Sequence, residues 1–333
     1  MQPVDNPSIR IAFRSLISLT FAGVAVTACT THEYPGRRAN DAGDSSGVSA
    51  GAPSATSTPA GENVTGATAP TGPGWGIPAD GDWTTQGRDY ANTRYSPLSE
   101  IDTNTVSSLR IAWSFTDGVL HGHEGAPLVA NNTMYLVTPF PNIAYALDLT
   151  KPGAPIKWTY RPNPSPIAIG KACCDVVNRG WQLADGKLIY NLLDGHTVAV
   201  DAATGKEVWR TQVYDVTQGV TMTMAPVIVK DKVLVGNSGG EMGVLGSLTA
   251  LDLKTGKIDW QATSTGPDSL VKIGADFKPF YASMQGTDLG VKSWPPDQWK
   301  IGGGTVWGWV TYDPETNLLF YGTGKPGGWN PDM

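Results

Sequence analysis

The side chains with the most chemistry to offer stand in three short stretches. Cys173 and Cys174 are neighbours in "ACCDVVNRG", and Cys29 is the only other cysteine among 333 residues. A bond between adjacent cysteines closes a small ring around the peptide bond. A trans peptide holds the two Cα atoms about 3.8 Å apart, closer than is usual for a disulfide, so such a ring is strained. The loop it closes is too short to gain much closure entropy, which leaves local shape or redox behaviour as its use. The competing reading is a pair of buried free thiols acting as small apolar groups. The residues alone leave both open. In "HGHEG", His121 and His123 fall on one face of a strand, a spacing that suits a metal, but no third ligand is visible beside them. The Gly-rich "KIGGGTVW" lacks the Gly-Lys-Ser/Thr ending and the following helix of a phosphate loop, and is read as a strand.

The elements that must carry these groups announce themselves by repetition. "AYALDLTKPGAPIKW", "VAVDAATGKEVW" and "TALDLKTGKIDW" share a small-apolar-Asp start, a Gly-containing turn and a closing Trp; Trp158, Trp209 and Trp260 are spaced 51 residues apart. Short alternating runs such as "KLIYNLL" and "APVIVKDKVLVGN" lie between them, punctuated by Gly, Asn and Asp, and no segment sustains a helical period. The fold class is therefore all-β, a β-propeller, with about four to five blades drawn from residues 76–333. Asp148, Asp201 and Asp252 are expected to cap turns, and the three tryptophans to pack between blades. By its residue type alone Trp307 would be one more such anchor. An unclosed ring leaves open strand edges, so the sequence is read as a portion of a longer protein.

The N-terminus speaks for export. Arg10 and Arg14 precede an apolar run from Leu16 to Val26, closing on small residues before Cys29, which is a signal-peptide pattern too short to span a bilayer. Its end resembles a bacterial lipobox, with Cys29 as the lipid-bearing residue; ordinary cleavage is the alternative. Residues 29–75, rich in Gly, Ala, Ser, Thr and Pro, are expected to be a disordered tether. A formal net charge of −6 argues against nucleic acid as a partner. Export places Cys173 and Cys174 where disulfides persist.

The blocks "DWTTQGRDYANTRYSPLSEI", "HGHEGAPLV", "CCDVVNRG", "TMAPVIVKDKVLVGNSGGEMGVLGSLTALDLKTG" and "WKIGGGTVWGWVTYDPETNLLFYGTG" resemble consecutive blocks of the quinoprotein alcohol dehydrogenases. These are enzymes of the methanol and ethanol dehydrogenase type that use pyrroloquinoline quinone (PQQ), including the lanthanide-type methanol dehydrogenases. The likeness runs from Asp82 to Asn330. It implies an eight-bladed propeller, of which this chain would hold the N-terminal portion.

The resemblance also assigns roles. It implies a Cys173–Cys174 ring against one face of PQQ and Trp307 covering the other, with Arg179 pairing a cofactor carboxylate. Thr223, Ser238, Gly239, Gly240 and Thr305 match further contacts around the rim, and Glu124 matches a glutamate beside the cofactor that is expected to share or hold a proton there. A hard cation, calcium or a lanthanide, is implied against the quinone. Glu241 matches one of its ligands, but Lys325 stands where the family has an asparagine ligand, and a protonated ammonium has no lone pair to give. The lysine is expected to replace the ion's charge, polarising the quinone oxygen, or to swing aside. The catalytic aspartate of the family would lie beyond Met333, so no turnover is expected from residues 30–333 alone. The implied function is periplasmic oxidation of a primary alcohol to the aldehyde, with a cytochrome c as electron acceptor. The alternative is a non-catalytic propeller lipoprotein serving as an envelope scaffold, which has no evident use for "CCDVVNRG" and "TVWGW" together.

Overall fold

The computed structural model describes residues 10–11, 81–274, 287–324 and 327; Cys29 and the tether lie outside them, as does the leader apart from Arg10 and Ile11. Three four-stranded antiparallel sheets follow one another along the chain, each a simple meander. The first holds β1 (Leu128–Ala130), β2 (Thr133–Val137), β3 (Ala144–Asp148) and β4 (Ile156–Tyr160). The second holds β5 (Trp181–Ala184), β6 (Lys187–Asn191), β7 (His196–Asp201) and β8 (Glu207–Gln212). The third holds β9 (Val227–Val229), β10 (Lys232–Gly236), β11 (Ser247–Asp252) and β12 (Ile258–Thr263). A fourth sheet contains the hairpin β13 (Val310–Asp313) and β14 (Leu318–Tyr321), with Arg10–Ile11 running parallel to Leu318–Leu319 at its edge. The described residues thus form three full blades and part of a fourth, against an expectation of about four to five for residues 76–333.

The repeat builds the interfaces between blades. Trp158 on β4 donates its indole N–H to the carbonyl of Ala202 in the next sheet at 3.0 Å, and its ring covers Gly205 so closely that a Cβ there would sit 2.6 Å from the indole. Trp209 repeats the arrangement on Leu253 and Gly256, with the indole N–H 3.2 Å from the Leu253 carbonyl. Both glycines have positive φ, 71° and 72°, so the turn conformation and the ring above it each require the missing side chain. The turn aspartates behave as expected. Asp201 accepts from the Thr204 amide at 2.8 Å and its hydroxyl at 2.7 Å, and Asp252 does the same with Thr255. In the first sheet the cap of Asp148 falls on Thr150. These bonds favour the ionised carboxyl and hold Asp148 down to about 2.

A strap upstream of the first sheet ties the blades together. Trp83 pairs with Val129 on β1, Thr85 pairs with Gln182 on β5, and the Tyr90 carbonyl accepts from the Tyr312 amide on β13 at 3.0 Å. The Asn92 amide group donates to the Val310 carbonyl at 3.0 Å. Gln182 in turn accepts from the Ile228 amide on β9 at 2.6 Å, so the first strands of all four sheets are linked.

Candidate functional site

The groups assigned by resemblance come from equivalent places in the four sheets, the loops that enter each first strand. Glu124 lies four residues before β1, Arg179 two before β5, Thr223 four before β9 and Trp307 three before β13. The turn after β10 adds Ser238 to Glu241. A cavity of about 220 Å³ lies among these loops, lined by Cys173, Cys174, Arg179, Thr223, Ser238, Glu241 and Trp307. Ala172, Asp175, Val177 and Thr221 complete its wall and were not singled out from the sequence.

The two adjacent sulfurs are bonded to each other. Their loop is anchored on both sides: the Ala172 amide reaches back to the Ala168 carbonyl at 3.1 Å, and the Val176 carbonyl accepts from the Phe140 amide at 2.9 Å. Trp307 is 41% exposed, whereas Trp158 and Trp209 are 9% exposed, so Trp307 faces open space and is not an interblade anchor. Both the disulfide and this indole line the same cavity, so a flat aromatic guest there would have both within reach.

Arg179 is fixed by its neighbours in sequence and in space. Asn178, buried, donates to the Asn191 carbonyl at 2.8 Å and accepts from the Gly180 amide at 2.7 Å, which pins the backbone on either side of the arginine. Asn191 continues inward to the Met224 carbonyl at 2.9 Å. The guanidinium donates to the Thr223 hydroxyl at 2.7 Å, pairs with Glu124 at 3.0 Å and lies 5.2 Å from the centre of the Trp307 ring. Thr223 and Ser238 hydroxyls are 2.8 Å apart. Either hydroxyl can donate in this pair, so one hydroxyl hydrogen of the two is left for a guest.

The remaining predicted residues stand behind the wall. Gly239 has φ 107°, and a Cβ on it would lie 2.4 Å from the Gly219 carbonyl oxygen; Gly240 packs on Thr305, which is buried. These residues set the short turn Gly240–Met242 that presents Glu241, whose carboxylate engages no cation among the described residues. Lys325 lies outside the described residues. His121 and His123 diverge to different carboxylates, Asp175 at 3.3 Å and Asp117 at 2.7 Å. Among the described residues no three His, Cys, Asp or Glu side chains converge as a metal site.

The wall carries one arginine, three hydroxyl side chains (Thr221, Thr223 and Ser238) and two carboxylates (Asp175 and Glu241) beside the disulfide and the Trp307 indole, so among the described residues Arg179 is the cationic donor for an anionic group of a guest. The fold and the site thus define a β-propeller with a cavity at its strand entries lined by a disulfide, an indole and an arginine. The chain belongs to the PQQ family described as the glucose/ethanol/alcohol dehydrogenase β-propeller domain, whose model matches residues 83–329. It is 52% identical over 253 residues to the lanthanide-dependent methanol dehydrogenase of Methylacidiphilum fumariolicum (strain SolV), covering 76% of this chain and 41% of that protein. It is 48% identical over 260 residues to subunit 1 of the methanol dehydrogenase [cytochrome c] of Paracoccus denitrificans, covering 75% and 41%. Among solved structures, a europium-containing methanol dehydrogenase matches with a TM-score of 0.74 at 52% identity, over 76% of this chain and 44% of that one. The chain spans less than half the length of these relatives.

Proposed function

We propose that the cavity holds PQQ and that the protein is a PQQ-dependent dehydrogenase acting on a primary alcohol, with a cytochrome c as electron acceptor, in the periplasm. The observation that carries this reading is the disulfide and the Trp307 indole bounding one cavity, with the Arg179 guanidinium on its wall. PQQ supplies a quinone that accepts the two electrons of an alcohol. Arg179 would take one of its carboxylates through a fork of N–H donors, and Thr223 and Ser238 would donate at the rim. Glu241, a hard oxygen donor on the cavity wall, would contribute to holding calcium or a lanthanide beside the quinone. The leader supports export to the periplasm, and a lipid on Cys29 would add a membrane anchor, which the mass of the mature N-terminus checks.

The test is a titration of PQQ into the full chain in the presence of Ca²⁺ or La³⁺, read by quenching of tryptophan fluorescence. Saturable quenching that is lost in Trp307→Ala supports the reading. An unquenched, unsaturable signal in the unaltered protein overturns it.

A further inference from the structure

Asp175, the residue after the paired cysteines, is a carboxylate on the cavity wall to which the proposed PQQ site gives no role. Its backbone has φ 115°, a value that side-chain-bearing residues seldom adopt and that persists only where the surroundings hold it. The holding contacts are explicit. One carboxylate oxygen accepts from the Gly122 amide at 2.8 Å, the other from its own neighbour Val176 at 2.7 Å, and His121 approaches to 3.3 Å. Gly122 and Asp175 are 53 residues apart, so the first bond joins two separate loops. Both are entry loops: one carries Glu124, which grips Arg179, and the other carries the disulfide. The bonds from the Gly122 and Val176 amides lower the pKa of Asp175 and keep it an acceptor at neutral pH. The space at Gly122 is closed, since a Cβ there would lie 3.0 Å from the Asp175 oxygen.

We infer that Asp175 is a positioning residue that clamps the 117–124 loop to the 172–177 loop, so that the disulfide and Arg179, the latter held by Glu124, keep their places on the cavity wall together. The clamp's effect on cofactor binding rests on PQQ being the guest of this cavity; its effect on the disulfide does not. Asp175 acts through its neighbours, and its loss would free the sulfur ring to leave the wall.

The experiment compares the full chain with Asp175→Gly, Asp175→Asn and Gly122→Pro. Glycine tolerates the φ of 115° while removing the carboxylate; asparagine keeps the shape with one acceptor oxygen; proline at 122 removes the amide donor. Two readings are taken on each: the rate at which dithiothreitol reduces the disulfide, counted by alkylation of the thiols, and PQQ affinity. The expected result is reduction about tenfold faster in Asp175→Gly and Gly122→Pro, with Asp175→Asn between them and the unaltered protein, measured well below each variant's thermal midpoint. PQQ affinity falls by a similar factor in the same order. Reduction at the unaltered rate in Asp175→Asn and in whichever of the other variants folds overturns the clamp. Failure of the unaltered chain to bind PQQ overturns the proposed function, and the reduction rates then judge the clamp alone.

Discussion

At the scale of single residues, the cavity is organised around Arg179. Its guanidinium reaches Glu124, Thr223 and the Trp307 face at once, and only a planar fork of donors can do this. Arg179→Lys keeps the charge but reaches one partner at a time, and is expected to weaken PQQ binding by about tenfold or more, since a charge-assisted hydrogen bond contributes about 1.5–3 kcal/mol. Equal affinity in the fluorescence titration would show that the arginine does not touch the cofactor. The asparagine before it has a different duty. Asn178→Ala leaves the buried Asn191 carbonyl and Gly180 amide without partners, and should lower stability by about 2–4 kcal/mol in a urea titration. A midpoint within error of the unaltered protein would mean that water replaces the amide.

At the scale of elements, the repeated Trp-on-Gly contact governs how sheets meet. Trp158→Ala removes a large buried face and should cost about 3–5 kcal/mol. Gly205→Ala should cost about 2–4 kcal/mol, because it adds a left-handed penalty to a collision with the Trp158 ring. If the two losses are coupled, the double variant costs clearly less than their sum in a double-mutant cycle; strict additivity would refute the contact. The sequence announced these elements because a turn aspartate, a turn glycine and a tryptophan recur at fixed intervals, and local chemistry makes each of them. Cys173 and Cys174 stood out as a pair from the residues themselves, but their place at a cofactor, like the roles of Arg179 and Trp307, was legible only through resemblance. The repeat carries a further signal that was missed, in that site groups sit two to four residues before each first strand. Asp175 and Asn178 were hidden for a physical reason: the partners that define them, Gly122 and Asn191, are distant in sequence and adjacent only after the loops close. Trp307 and Trp158 are the same residue type, and only the fold shows that one faces a cavity and the other a neighbouring blade.

At the scale of the whole molecule, titration marks the limits of the fold. The cap on Asp148 holds its folded value at about 2 against an ordinary 3.8, with Asp201, Asp252 and Asp313 also lowered by their turn hydrogen bonds. A lowered folded value means that this stabilisation is complete above about pH 4 and drains away as pH falls toward 2. Tyr160 and Tyr321 lie at the other end, both pushed up to about 12 by burial, with Tyr160 also donating to Glu207. Raised folded values mean that their contribution is intact below pH 10 and is lost as pH climbs through 12. The urea midpoint should therefore hold a plateau between these windows and decline in both; a midpoint indifferent to pH 2–4 would contradict the capping bonds.

The strap from Trp83 to Asn92 has a kinetic corollary. Its bond to Val310 joins residues 218 positions apart, and its other bonds reach sheets made at different moments of synthesis. A ring of blades held only to nearest neighbours could condense piecemeal from one end. Here the strap is satisfied only once the last described sheet has formed, which raises contact order and slows folding.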